Sequence, residues 1–62
     1  MILCTVYITH RELDTLDQVK EALQLAGFEV FLIHSGRDRQ LAVPEKDQDR
    51  AWEVVWEVLT RQ

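Results

Sequence analysis

No disulfide can form within this chain, because Cys4 is its only cysteine. One cysteine and two histidines, His10 and His34, also fall short of the four ligands of a structural zinc site. A lone cysteine in an apolar run behaves as a small hydrophobe and points to a reducing compartment. Glycine is equally scarce. Gly27 and Gly36 stand apart from each other, so no glycine-rich phosphate loop is present. No apolar stretch approaches the roughly 18–20 residues of a membrane helix. Met1 leads straight into an apolar run with no basic segment before it, so a signal peptide is not expected and a cytoplasmic location is. Excess positive charge is missing too. A formal net charge of −4 argues against nucleic-acid phosphates as the main partner.

The 62 residues form one domain, 1–62, and a marginal one. A chain of about 60 residues buries only about 60% of its unfolded surface. One core of that size supplies about 3–5 kcal/mol, and small folds usually add disulfides, metal or oligomerisation. With no disulfide possible and no structural zinc site expected, association is the remaining support.

What is present reads as alternating strand and helix. Ile2, Cys4, Val6 and Ile8 share one face of a strand, and Leu3, Thr5, Tyr7 and Thr9 the other. A helix follows, capped by Asp14 or Thr15, with Thr15 and Gln18 at capping-box spacing. Its stripe of Leu16, Val19, Ala22, Leu23 and Ala26 is about 120° wide, and Leu25 is its one stray apolar residue. Gly27 suits the left-handed residue that ends a helix. Phe28 to about His34 is a second strand, apolar on both faces, and Ser35-Gly36-Arg37-Asp38 is a hairpin turn. A short third strand, Arg39 to Val43, stops at Pro44, and Asp47 caps a final helix.

The order β-α-β-β-α, with strands 2 and 3 in a hairpin, predicts an α+β fold. Its form is a truncated ferredoxin-like sandwich, with sheet order 1-3-2 and two helices on one face. A parallel unit with strand 1 directly beside strand 2 is the alternative. In the first arrangement strand 1 is an open edge with neither charge nor proline to blunt it. The sheet face away from the helices would then show Tyr7, Phe31 and Ile33.

The last helix carries more apolar surface than one sheet needs. Ala51, Trp52, Val54, Val55, Trp56, Val58 and Leu59 sweep an arc of roughly 200°, against a usual stripe a little over 100°. Trp52 and Trp56 lie one turn apart on its surplus edge.

The run Leu41-Ala42-Val43-Pro44-Glu45-Lys46-Asp47-Gln48-Asp49-Arg50-Ala51 carries a resemblance. A strand ending in Val-Pro, then acidic residues, then an Arg-Ala helix resembles the small bacterial domains called prokaryotic signal-transducing proteins. Val6-Tyr7 in the first strand and Leu25-Ala26-Gly27 at the end of the first helix are similar to the same family. The resemblance implies a ferredoxin-like domain, distantly similar to PII-type regulators, with no established activity. The chain departs from the family in the connection between strands 2 and 3, which is longer and glycine-rich there and is reduced here to Ser35 to Asp38.

Sites of chemistry are few. Ser35, Thr5, Thr9 and Thr15 have no base at a recognisable spacing, so no enzyme and no cofactor is expected. His10 and His34 end parallel strands near Glu12, Asp14 and Asp38, but no two ligands share a helical or tight-turn spacing. His10, Arg11, His34, Arg37 and Arg39 outline a rim where an anion can dock. The leading expectation is a non-catalytic binding or regulatory module working as a homodimer. Its contact residues are Trp52, Trp56 and Leu59, or Tyr7, Phe31 and Ile33, with neither nucleic acid nor membrane as partner. An anion sensor at the rim is the alternative, and a metal-dependent enzyme a more distant one.

Overall fold

The computed structural model describes residues 2–10 and 13–61. In chain order it comprises β1 (Leu3–Thr9), α1 (Leu13–Leu25), β2 (Phe31–Ser35), β3 (Asp38–Pro44), a single 3-10 turn (Glu45–Asp47) and α2 (Gln48–Thr60). The sheet order is β1-β3-β2 with both pairings antiparallel, which sets aside the parallel β1-β2 alternative. The α+β class and the 1-3-2 order are those expected from the hairpin and the helical crossover.

One layer of side chains joins sheet and helices. Leu16, Val19 and Leu23 from α1 and Ala51 and Val55 from α2 close over Val6, Leu41 and Val43. The i, i+3, i+7 spacing on α1 places its buried residues on a single stripe, and Leu25, outside it, is 81% exposed. Both helices lie over β1 and β3, leaving all five residues of β2 exposed.

Three glycine and proline positions set the chain's turns. At the end of α1 the Phe28 N–H donates to the Leu23 carbonyl (3.1 Å) and the Gly27 N–H to the Gln24 carbonyl (3.0 Å). With Gly27 at φ +92°, this is the Schellman arrangement. A Cβ on Gly27 would meet nothing within 4 Å, so any penalty is backbone strain alone. Gly27→Ala is therefore expected to lower stability by about 1–2 kcal/mol, seen as a clear fall in melting temperature; an unchanged melt would contradict the assignment. Gly36 is the only positive φ in the β-hairpin, at its first central position, as a type II′ turn requires. Pro44 ends β3 opposite Leu3, and the next N–H, of Glu45, donates to the Ile2 carbonyl (2.8 Å).

Several local expectations are corrected. β2 begins at Phe31, not Phe28. Phe28 follows the helix cap, and both it and Val30 pack on the core instead of joining the ladder. α1 begins at Leu13, so Asp14 and Thr15 lie in its first turn and the capping position falls outside the described residues. Asp47 precedes α2 but makes no side-chain capping bond, because the 3-10 turn delivers the chain into the helix.

The largest correction concerns β1. Its register with β3 shifts between Thr5, opposite Ala42, and Tyr7, opposite Leu41. Val6 is thus an extra residue, a β-bulge, and residues beyond it change face. Tyr7, expected on the open sheet face, packs against the core beside buried Val6. Ile8, expected inside, is 53% exposed.

Candidate functional site

The surplus edge of α2 and the outer side of β1 together form a groove. Its volume is about 330 Å³, and its lining includes Val6, Tyr7, Ile8, Trp52, Val55 and Leu59. Helical spacing explains the α2 wall: Val55 faces the core, while Trp52 and Leu59 stand on the side toward β1. The bulge builds the facing wall. By placing Val6 and Tyr7 both inward, it brings two successive side chains of β1 to the hollow, whose lining also includes Thr5 and Ile8 at the strand edge.

Trp56 lies beside this groove rather than in its lining and is 68% exposed; Trp52, one turn earlier, is 48% exposed. Leu59, Ile8, Leu3 and Ile2 are also exposed, so most of the large apolar side chains open to water surround β1 and α2. No strand pairs with the outer side of β1 among the described residues.

The open sheet face is less apolar than expected. Phe31 and Ile33 lie there, paired with Ala42 and Gln40, but Tyr7 does not. The centre of the face is polar: the Thr5 hydroxyl donates to Gln40 Oε1 at 3.1 Å. Phe31 and Ile33 flank it on β2, while Leu3 and Ile8 stand across it on β1. Trp52, Trp56 and Leu59 thus share one surface, and Phe31 and Ile33 another on the opposite edge.

The rim brings together only part of the predicted cationic set. Arg39 sits in register between Thr9 on β1 and His34 on β2, and Arg37 occupies the adjoining turn. His10 lies against Asp38, whose carboxylate pairs with its Nδ1 nitrogen. The rim therefore carries a carboxylate among its cations, which works against a bound anion. Arg11 lies outside the described residues. Among the described residues no group of three His, Cys, Asp or Glu side chains is placed to hold a metal ion, and no helix is long and apolar enough to cross a membrane.

Sequence reasoning found Trp52, Trp56 and Leu59 from the helical period alone. It missed Ile8, because nothing in an uninterrupted run from Ile2 to Thr9 marks the bulge that turns this side chain outward. No family model, curated protein or solved structure matches the chain.

Proposed function

We propose that this chain is a non-catalytic binding module in a regulatory or adaptor role, acting through protein–protein association as a homodimer. The observation that carries this reading is the apolar groove between α2 and β1, bordered by two tryptophans largely open to water. Tryptophan is the residue most enriched among side chains that dominate binding energy, and an exposed pair beside an apolar hollow suits a partner surface. The lining offers contact area and few polar groups, the composition of a docking surface rather than of a reaction site.

Magnitudes support the same view. Taking about 250 Å² for a tryptophan side chain, the exposed fractions of Trp52 and Trp56 correspond to roughly 290 Å² per chain. A stable interface buries about 800 Å² per partner, so the two rings alone supply more than a third. At about 25 cal/mol per Å² their burial contributes about 7 kcal/mol per protomer. Two protomers together then reach the order of the association cost, about 4–15 kcal/mol.

The resemblance to prokaryotic signal-transducing domains belongs to the same proposal. The 1-3-2 sheet is consistent with it, and a regulatory role in the cytoplasm fits both.

The test is light scattering on eluted wild type beside two double variants. Wild type and Phe31→Lys/Ile33→Lys are expected to run as dimers, and Trp52→Ala/Trp56→Ala as a folded monomer. A dimer lost on the β2 substitutions and kept without the tryptophans would move the interface to the sheet face.

A further inference from the structure

We infer that the outer edge of β2 is a docking strip for an extended peptide segment of another protein, added as a fourth strand antiparallel to β2. The choice of a foreign segment over a second copy rests on the association reading above; the chemistry of the edge does not.

Main-chain geometry names the kind of occupant. The hairpin loop is two residues, Gly36 and Arg37, so Ser35 and Asp38 exchange both of their hydrogen bonds. By alternation Ile33 with Gln40 and Phe31 with Ala42 do the same. The N–H and C=O groups of Leu32 and His34 therefore point away from β3, about 6.7 Å apart along the strand. Among the described residues no strand pairs on that side. Donors and acceptors repeating at this spacing are matched by extended main chain.

The two edges of the sheet differ. β1 is bulged at Val6, which breaks its row of main-chain groups, whereas β2 keeps an unbroken register over all five of its residues. Bulges, prolines and charges are what blunt an edge, and Val30 to Ile33 carries none of them. Both faces of β2 also stay open, because the helices lie over β1 and β3. Phe31 and Ile33, at 36% and 37% exposure, lie on the open sheet face, and Leu32, at 39%, on the helix side. An added strand gains cross-strand contacts on each face. Valine suits its positions beside Phe31 and Ile33, and threonine those beside Leu32 and His34.

Charge sets its direction. Glu29, just before β2, and Arg37, just past it, are both exposed. An antiparallel segment with an acidic start and a basic end meets opposite charges at both places; run parallel, the same segment meets like charges. A second copy fits less well. Self-pairing at β2, added to self-association through the tryptophan edge on the other side of the sheet, would link copies into an open-ended array.

Fluorescence anisotropy of a short, capped, dye-labelled peptide tests the edge, with valine and threonine alternating between an N-terminal glutamate and a C-terminal lysine. Saturable binding to wild type is expected, and equal binding to Trp52→Ala/Trp56→Ala, so that the edge is read apart from the dimer. His34→Pro deletes an outward N–H and leaves the ladder with β3 whole. It is expected to weaken binding at least about tenfold, whereas His34→Ala, which keeps that N–H, stays within about threefold of wild type. Circular dichroism confirms that His34→Pro is folded. N-methylation of the peptide at the positions facing β2 gives the same reading on the unaltered protein and is expected to abolish binding. Exchanging the glutamate and the lysine is expected to weaken binding about threefold at low salt. No saturable binding to wild type, or binding indifferent to both His34→Pro and N-methylation, would overturn the proposal while leaving the association reading intact. A wild type that assembles beyond a dimer, beside a His34→Pro variant that does not, would give the edge to a second copy and overturn it too.

Discussion

Leu23→Ala should abolish the cooperative unfolding transition of this protein near room temperature, whereas Leu25→Ala, two residues away, should leave it nearly unchanged. Leu23 is 0% exposed, at the centre of the layer formed by Val19, Leu41 and Val55. Truncating a buried leucine costs about 2–5 kcal/mol, partly lost transfer energy and partly the cavity left behind. A single core of this size supplies only about 3–5 kcal/mol in total, so the substitution removes most or all of the margin. Leu25 is 81% exposed on the same helix, where substitutions usually change stability by no more than about 0.5 kcal/mol. Thermal melts followed by circular dichroism distinguish the two. Similar melts for both variants would mean that the layer is not the core described.

A second large effect is expected in the dependence of stability on protein concentration. If folding and association are coupled, each protomer is a ligand for the other, and a partner at about 100 times its dissociation constant adds about 2.7 kcal/mol. For a domain near this size, about 1 kcal/mol moves the melting temperature by about 4–8 °C. The melting temperature should therefore climb by roughly 10–20 °C between dilute and concentrated protein. In Trp52→Ala/Trp56→Ala it should be nearly independent of concentration, because that variant retains the core and loses the docking surface. A wild-type melt that does not move with concentration would contradict the coupling.

Much of this architecture was legible in the sequence because its signals are local. Gly27 ends a helix, Gly36 turns a hairpin and Pro44 ends a strand, and each does so through backbone chemistry that needs no tertiary context. Those three punctuation points, with a 3.6-residue stripe on α1, give the succession β-α-β-β-α but leave open whether strand 1 lies beside strand 2 or strand 3, which only the pairing itself decides. The exposed ridge of α2 was legible for a similar reason: a helix wider in apolar residues than its core contact must leave one side open, and Trp52 and Trp56 occupy that side.

What could not be read depends on long-range pairing. The bulge at Val6 arises where the β1 ladder meets Leu41 and Ala42, more than thirty residues away in sequence. A period of two, carried unbroken from Ile2 to Thr9, puts Tyr7 on the open face and Ile8 inside; the bulge exchanges them. Phe28 and Val30 mislead for a different reason. Their composition suits a strand, but the helix cap and the core claim their side chains first, leaving Phe31 to begin β2. The groove was therefore half visible: its helical wall came from periodicity, and its strand wall came from a register shift.

The most direct test of self-association is sedimentation equilibrium of the wild-type chain across a wide range of concentration. A reversible monomer–dimer equilibrium is expected, rising from the chain mass of 7.3 kDa toward twice that value and no further. A single species of one chain mass at every concentration would contradict it.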